Sequence, residues 1–467
     1  MFRKPVFILL LALAVIAVAC ATPTETPKPS VSSASSSAVA SAPASSAPAS
    51  SAPASSAASS AASSVASSSA PAPTVAPTVA PTVAPKPTED PLKGLTDAQK
   101  AWAKSAELGP YAPAKQDWTA IEAAAKKEGK VAIYSNSSRW PDIKKTFEAA
   151  YPGITVEGYD ISTVDLITKL QKEQKAGVYT ADVILCGDYA TLVNEMLNPP
   201  NKMLWNFVPQ ELNELVDLSA REPLMYHRYG LNTFVYNTEV YKEPPVKNIW
   251  EFTKPEWKGR IVLPDPQKVA MSLLGLTVIT KNSDAMAKAY QEAFGKPIQL
   301  EVGVPNAGYQ WIKDVLKNDP TLTSSSGDAA TAVGAKGQKN PPIGFTTYSK
   351  IRDVIAGNLK FDVMWNMSPI IGLTEETGLA IANQAPHPNA AKLLIKWMEG
   401  DAKGGQGFTP FYVPGDYSTR KDVPPPTGAK PWGDVQKFVW SGGGDTKYVY
   451  DNSIKVRDFW LANLKPK

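Results

Sequence analysis

Short apolar segments alternate with amphipathic helical segments between residues 118 and 196, and this alternation constrains the fold more than any other feature. Three apolar segments are predicted to be strands, at residues 131–134, 154–159 and 181–185. Helical patterns precede, separate and follow them, at residues 118–128, 141–151, 164–176 and 190–196. Because strands and helices follow one another through short turns, we expect parallel strands covered by helices. The sequence therefore predicts an α/β fold.

Polar loops follow the first and the third of these predicted strands. Residues 135–139 read Ser-Asn-Ser-Ser-Arg, and residues 186–189 read Cys-Gly-Asp-Tyr. The carboxyl ends of parallel strands meet at one edge of a sheet, so both loops are expected to line one crevice. Hydroxyl groups and free backbone N–H groups at helix N-termini suit a polar or anionic ligand. Taken alone, the first loop is more typical of an ordinary strand-to-helix turn with a polar cap.

The first part of the chain has the features of a lipoprotein signal peptide followed by a tether. Residues 6–19 are apolar but short for a membrane span, and residues 17–20, Ala-Val-Ala-Cys, resemble a bacterial lipobox. The resemblance implies that Cys20 becomes a lipid-bearing N-terminus and that the protein is held on the outer side of the cell membrane. A plain secretory signal is the alternative.

The segment after Cys20 is predicted to be disordered. Residues 21–92 are dominated by Ser, Ala and Pro, with few large apolar side chains to offset the entropy of ordering. As a flexible tether this segment would span roughly 50 Å from end to end. Cys186 is the only other cysteine, so the chain has no intramolecular disulfide, and we expect Cys186 to be a buried small side chain.

Charge and motif content exclude several classes of function. The formal net charge is +4 and the basic residues are scattered, which gives no electrostatic case for nucleic-acid binding. The two histidines, His227 and His387, lie in settings unsuited to nucleophilic catalysis, and the sequence has no GxSxG or HExxH motif. No enzyme activity and no cofactor are therefore predicted, and an exported hydrolase ranks far behind a binding protein.

Three stretches, in this order, resemble the extracellular solute-binding proteins of ABC importers. They are GLNTFVYNTEV at residues 230–240, IWEFTKPEWKGRIVLPDP at residues 249–266 and GLAIANQAPHPNAAKLLIKWM at residues 378–398. The branch most similar to them is the ferric-iron type, and the resemblance extends over about residues 118–423. It implies a two-lobe periplasmic-binding-protein fold, type II-like, with a ligand cleft between lobes joined by crossing strands. It also implies delivery of a small-molecule ligand to the transmembrane subunits of an ABC permease.

Together with the signal peptide and the tether, this resemblance predicts a monomer made of six segments. They are a signal peptide with the lipobox cysteine (1–20), a tether (21–92), the first part of lobe 1 (93–232), lobe 2 (233–360), a return to lobe 1 (361–415) and a C-terminal segment packing on lobe 2 (416–467). A closing helix is expected near residues 454–464.

The resemblance to the iron-type branch is incomplete at the metal ligands. That branch holds iron with a histidine in the first polar loop, a glutamate after the third strand and two consecutive tyrosines in lobe 2. The matching positions here are Ser138, Asp188 and the pair Thr347-Tyr348. Asp188 and Tyr348 would supply at most two anionic oxygens, fewer than a ferric ion prefers. Bare iron is therefore the weaker alternative, and iron bound together with an anion or a chelator fits the sequence better.

The predicted ligand-binding residues come from both lobes. In lobe 2, residues 324–328 (Ser-Ser-Ser-Gly-Asp) precede a helical run and suit an oxyanion. The full set is Ser135, Ser137, Ser138, Arg139, Asp188, Tyr189, Ser325, Ser326 and Tyr348. These groups favour a small polar or anionic solute, such as a phosphonate, a carboxylate or an anionic metal chelate.

Each element of this set also has a plainer interpretation. Arg139 can belong to a surface ion pair, the serines of lobe 2 can be a helix cap, and Tyr348 can be core packing. A sensor that presents the same ligand to a membrane protein is an alternative to a transport receptor.

Overall fold

The computed structural model describes residues 90–198 and 202–465. The predicted signal peptide, the lipidation site Cys20 and nearly all of the predicted tether lie outside the described residues. Within the described ranges, no helix has the length and apolar character needed to cross a membrane.

Twelve strands in the described residues form one mixed sheet. The strands are β1 (Lys130–Ser135), β2 (Thr155–Asp160), β3 (Val183–Cys186), β4 (Leu204–Trp205), β5 (Tyr226–Asn237), β6 (Ile261–Pro264), β7 (Thr321–Thr323), β8 (Ile343–Thr347), β9 (Phe361–Val363), β10 (Gly372–Ala382), β11 (Asp416–Ser418) and β12 (Val439–Ser441). Their main order is β2-β1-β3-β10-β5-β8-β6-β7, with β4 and β12 paired to β10 and with β9 and β11 paired to β5.

Helices cover this sheet. The α-helices of the described residues are α1 (Asp97–Ser105), α2 (Trp118–Glu128), α3 (Trp140–Ala150), α4 (Thr163–Lys175), α5 (Tyr189–Thr191), α6 (Leu218–Arg221), α7 (Ala270–Lys281), α8 (Ser283–Phe294), α9 (Ala307–Lys317), α10 (Ser326–Gly334), α11 (Ile351–Ile355), α12 (Pro388–Met398), α13 (Trp432–Val435) and α14 (Thr446–Asn463). A π-helical segment, Leu192–Leu197, continues α5.

The predicted alternation of strands and helices in lobe 1 is confirmed. β1 pairs in parallel with both β2 and β3. The preceding helix α2 starts where the Asp117 side chain accepts a hydrogen bond from the backbone N–H of Ala120. It ends at Gly129, whose φ of 73° is left-handed and so favours glycine at the end of a helix. Local signals therefore set both the order and the bounds of these elements.

Two long strands cross between the lobes. The C-terminal half of β10 pairs with β3 in lobe 1, whereas its N-terminal half pairs with β5. The C-terminal half of β5 pairs with β8 and β9 in lobe 2, where β6, β7 and β8 are parallel. The two-lobe α/β architecture with crossing strands is thus confirmed.

The strands of lobe 1 are buried on both faces. Ile133, Val183 and Leu379 lie in one apolar cluster and the residues that follow each of them in sequence lie in another. This is the alternation of side chains expected for strands covered on both sides. Lobe 2 has a separate apolar core, in which Trp250 and Trp311 are almost completely buried.

The C-terminal helix α14 is longer than the sequence pattern suggested. It begins at Thr446 because the carboxylate of Asp445 accepts a hydrogen bond of 3.0 Å from the backbone N–H of Tyr448. Val456 and Trp460 of α14 pack into the core of lobe 2, beside α7 and α9. The first turns of α14 also contact α5 of lobe 1, so this helix touches both lobes.

Candidate functional site

A cleft of about 570 Å³ opens between the two lobes. Lobe 1 contributes the loops that follow β1 and β3, and lobe 2 contributes the N-terminal ends of α7 and α10. The crossing strands β5 and β10 form its floor, and the first turns of α14 line one side. The two predicted polar loops are therefore brought to the same crevice, together with the serine-rich start of α10.

The loop after β1 places three predicted residues on the cleft wall: Ser137, Ser138 and Arg139. Arg139 precedes α3, and its guanidinium donates to the carboxylate of Asp416, which follows a 3-10 turn (Gln406–Phe411). The same guanidinium lies 5.2 Å from the ring centroid of Phe411. The side chain of Arg139 is 19% exposed, so the ion pair is partly shielded from water.

Asp416 is shared by a second arginine. Nε of Arg228, on β5, lies 3.4 Å from Oδ1 of Asp416, whose side chain is 5% exposed. The guanidinium of Arg228 lies 4.5 Å from the ring centroid of Phe411, on which Arg139 also rests. We call Arg139, Arg228 and Asp416 the arginine cluster. Within the arginine cluster, two cations face one anion, so the cluster itself carries one excess positive charge.

Asp188 and Tyr189 also line the cleft, but their polar atoms are bonded within lobe 1. The Asp188 carboxylate accepts hydrogen bonds from the backbone N–H of Thr191 at 3.1 Å and from its hydroxyl at 2.7 Å. Burial nevertheless raises the pKa of Asp188. The Tyr189 hydroxyl donates to the carbonyl of Leu224 at 2.7 Å. Both side chains therefore form part of the cleft wall, but the hydrogen bonds of their polar atoms are made to other residues of lobe 1.

Lobe 2 presents helix N-termini to the cleft. Ser325 is the N-cap of α10, and its hydroxyl accepts a hydrogen bond of 3.0 Å from the backbone N–H of Asp328. Ser326, the first residue of the helix, also lines the cleft. Val269 precedes α7 without any side-chain cap. The neighbouring Lys268 is exposed on the same side of the cleft. The N-termini of α7 and α10, together with Lys268, thus make the lobe 2 wall of the cleft favourable to a negatively charged ligand.

Two predicted residues lie behind the wall. Ser135 is completely buried and its hydroxyl accepts a hydrogen bond of 3.0 Å from the backbone N–H of Ser137. Tyr348 is 6% exposed and packs edge-on against Trp365, with ring centroids 5.6 Å apart. Its neighbours on each side, Thr347 and Ser349, do line the cleft. Burial raises the pKa of the Tyr348 phenol well above its ordinary value.

The crossing strands and the C-terminal segment supply residues that sequence reasoning missed. They include Arg228, Asn232, Glu375, Asp416 and Tyr450. One signal was available, because Glu375 and Glu376 are adjacent acids in a strand that is otherwise mostly apolar. Charged residues are rarely buried in such a strand unless the protein or a ligand compensates them.

Neither histidine lies in the cleft lining. Nε2 of His227 lies 3.1 Å from the carbonyl oxygen of Met398, and Nδ1 of His387 lies 2.9 Å from Oδ2 of Asp182. Among the described residues, no group of three or more His, Cys, Asp or Glu side chains is arranged to hold a metal ion. Cys186 is a free, buried thiol, as expected.

Two α/β lobes joined by crossing strands, with a polar cleft between them, define a ligand-binding protein of the two-lobe periplasmic class. The profile of the bacterial extracellular solute-binding protein family matches residues 134–404, more than half of the 467-residue chain, and the chain belongs to this family. The resemblance found in the sequence is confirmed. Members of this family bind small molecules outside the cytoplasm for ABC importers. No curated protein matches the sequence significantly.

Solved structures share this fold at low sequence identity. Iron-bound HitA from Pseudomonas aeruginosa is 16% identical with a TM-score of 0.55, over 71% of this chain and 99% of that chain. The ferric binding protein from Campylobacter jejuni is 18% identical with a TM-score of 0.54, over 71% of this chain and 99% of that chain. AfuA from Actinobacillus pleuropneumoniae, with exogenous fructose-6-phosphate bound, is 16% identical with a TM-score of 0.54, over 73% of this chain and 99% of that chain.

Proposed function

We propose that this protein captures a small anionic solute between its lobes and delivers it to the transmembrane subunits of an ABC importer. The observation that carries this proposal is the arginine cluster of Arg139, Arg228 and Asp416. It lies in the same cleft as the N-termini of two lobe 2 helices. The side chains proposed to surround the solute are Ser137, Ser138, Arg139, Asp188, Tyr189, Ser325 and Ser326.

The electrostatic reasoning supports an oxyanion such as a phosphonate, a carboxylate or an anionic chelate. Guanidinium groups bind carboxylates and phosphates through parallel hydrogen bonds. A helix N-terminus adds roughly 0.3–1 kcal/mol of favourable interaction with a negative group, and more when water is excluded. Closure of the lobes would exclude water from the cleft and so strengthen both interactions.

Ferric iron is the alternative that the structural neighbours bring forward, since HitA was solved with iron bound. In the present chain, Tyr348 packs on Trp365 behind the cleft wall, and both Asp188 oxygens accept hydrogen bonds from Thr191. These positions support an anion or an anionic chelate over bare iron. A titration with ferric ion that gave a visible phenolate band, lost in Tyr348→Phe, would reverse this preference.

A thermal-shift screen tests the proposal. Phosphate, methylphosphonate, simple carboxylates and ferric citrate are added to the purified protein, and at least one should raise the melting temperature by mass action. Arg139→Ala should remove that shift. Arg457→Ala is the matched control, because Arg457 pairs with its neighbour Asp458 on the exposed surface and lies outside the cleft lining. Equal shifts in both variants would contradict the proposed role of the arginine cluster.

We also propose that Cys20 carries the lipid that holds the protein at the membrane. The lipobox-like residues 17–20 support this proposal. Cells that express the protein should incorporate labelled palmitate into it, and Cys20→Ser should abolish the label. Absence of label from the wild-type protein would remove the anchor from the proposal.

A further inference from the structure

Acidic side chains line a cleft whose other features favour anions. Within the described residues they are Asp188, Glu375, Glu376 and Asp416. Burying a carboxylate is costly unless hydrogen bonds or cations compensate it. The protein itself compensates two of the four in ways already described, since Asp188 is bonded to Thr191 and Asp416 binds two guanidinium groups.

Glu376 is also fully compensated inside the protein. Its carboxylate accepts a hydrogen bond of 2.8 Å from the hydroxyl of Ser441, and further bonds from the Thr374 hydroxyl and the backbone N–H of Gly443. These bonds tie the C-terminal segment to β10. Glu376 therefore has a structural role, even though part of it reaches the cleft.

Glu375 differs from the other three. Among the described residues, the only hydrogen bond to its carboxylate comes from Nδ2 of Asn232, at a long 3.5 Å. An ionised carboxylate can accept about four hydrogen bonds. Burial raises the pKa of Glu375, while the nearby Arg228 lowers it. A half-buried acid at the floor of the cleft thus keeps most of its capacity to accept hydrogen bonds.

The loop after β3 leaves room for Glu375 to face the cleft. A Cβ atom at Gly187 would collide with Oε1 of Glu375, so only glycine allows the carboxylate to lie there undisturbed. The same Cβ position is 3.4 Å from Nδ2 of Asn136, which donates to the Thr163 hydroxyl at 3.0 Å. The carboxylate of Glu375 therefore lies directly against the Gly187 loop, and Arg228 already supplies a nearby positive charge.

We propose that Glu375 accepts hydrogen bonds from hydroxyl groups of the ligand, and that the solute is a small anion carrying hydroxyls, such as a polyol phosphate or a hydroxycarboxylate. This rests on the proposed function, because the anionic end is assigned to the arginine cluster. We propose hydroxyl donors and not an ammonium group, because Arg228 already supplies a positive charge close to Glu375.

Isothermal titration calorimetry with matched probes tests this inference. Propyl phosphate and glycerol 3-phosphate share one carbon skeleton and differ by two hydroxyls, and propionate and glycerate differ in the same way. In the wild-type protein, the hydroxylated member of at least one pair should bind about tenfold more tightly, as expected for one or two hydrogen bonds to a carboxylate.

Variants of Glu375 separate its role from folding. Glu375→Gln should reduce the preference for the hydroxylated probe several-fold, and Glu375→Met should abolish it. Both variants should bind propyl phosphate at least as tightly as the wild-type protein, because a carboxylate that repels the phosphate is gone. Glu301→Gln is the matched control, since Glu301 is paired with lysines on the exposed surface of lobe 2 and should leave the preference unchanged.

The outcomes distinguish the two proposals. If both members of each pair bind the wild-type protein equally, the inference about hydroxyls is wrong and the anion receptor stands. If 3-aminopropyl phosphate binds more tightly than glycerol 3-phosphate and loses that advantage in Glu375→Gln, the donor is an ammonium group and the inference is likewise wrong. If none of these probes binds although the thermal-shift screen finds an anion that does, the inference about hydroxyls is wrong and the anion receptor stands. If that screen also finds no anion, the anionic solute itself is overturned, and the inference falls with it.

Discussion

Arg139 and Asp416, which are 277 positions apart in the sequence, form an ion pair on the wall of the cleft. Arg228 binds the other oxygen of the same carboxylate. Because the aspartate holds both guanidinium groups against Phe411, their positions are set before any solute arrives. A preorganised cation loses less conformational entropy when it binds an anion.

Asp416→Asn tests this arrangement in two ways. Removing one partner of a buried ion pair leaves uncompensated charge, so we expect the free energy of unfolding to fall by about 2–3 kcal/mol. The net positive charge of the arginine cluster rises by one, while the asparagine oxygen can still accept a hydrogen bond from a guanidinium group and keep it in place. An anion that binds the wild-type protein should therefore bind the variant several-fold more tightly. Urea denaturation and calorimetry measure the two effects.

Asp217→Asn is the control for this prediction. Asp217 pairs with Lys421, but the two side chains are 70% and 55% exposed, and surface pairs of this kind contribute about 0–1 kcal/mol. Neither stability nor affinity should change appreciably. An Asp416→Asn variant with wild-type stability and weaker anion binding would show that the arginine cluster works differently.

Gly372→Ala should damage the junction of the crossing strands. A Cβ atom at residue 372 would collide with the backbone carbonyl oxygen of Asn232 and lie 2.8 Å from Cα of Thr233. Backbone atoms of β5 cannot move away without weakening their pairing with β10, so we expect a loss of about 3 kcal/mol in the free energy of unfolding. Chemical denaturation gives the value.

Gly433→Ala provides the comparison for that loss. The nearest atom to a Cβ at Gly433, Nε2 of Gln436, is 4.0 Å away, so the extra methyl group meets no obstacle. Gly433→Ala should change the free energy of unfolding by less than about 1 kcal/mol. The change can be stabilising, because alanine reduces the entropy of the unfolded chain. Similar losses at both glycines would argue against a tight contact between β5 and β10.

The buried His227 should make the protein sensitive to mild acid. Burial, aided by the charge of Arg228, lowers the pKa of His227 to about 3. The unfolded chain takes up a proton at the ordinary histidine pKa, whereas the folded chain does not. This histidine therefore contributes stability above that ordinary value, and the contribution is lost as the pH falls toward the folded pKa.

The difference in unfolding free energy between the wild-type protein and His227→Gln should shrink by about 1 kcal/mol between pH 6 and pH 5. His387→Gln should not show this change, because the bond to Asp182 raises the pKa of His387 and both states are then largely protonated. Urea denaturation at several pH values measures each curve. Parallel curves for the wild-type protein and His227→Gln would rule out the assigned cause.

Local patterns were sufficient to predict the first half of lobe 1. The signals for these elements all lie between residues 129 and 141. They are the glycine that ends α2, the apolar run that forms β1 and the proline at the start of α3. Short-range chemistry determines such features, so they can be recognised without knowledge of the tertiary structure. The start of α14 was missed because one aspartate, Asp445, caps a helix whose first turns have no clear apolar period.

The floor of the cleft could not be predicted in the same way. Residue alternation on β5 and β10 defines two faces, but only the pairing of these distant strands decides which face meets the cleft. The sequence alone therefore does not show that Arg228, Asn232 and Glu375 line the cleft. Tyr348 shows the same limit, since its neighbours Thr347 and Ser349 line the cleft while its own ring points into the core.

The family match ends at residue 404, but the wall of the cleft continues beyond it in Asp416, Gly443 and Tyr450. Those residues come from a part of the chain that is bonded to β10 through Glu376 and packed against both lobes through α14. A chimera that exchanges only residues 134–404 with a relative would combine the cleft floor of one protein with the C-terminal cleft wall of the other. Transfer of the solute preference therefore requires residues 405–467 to be exchanged as well.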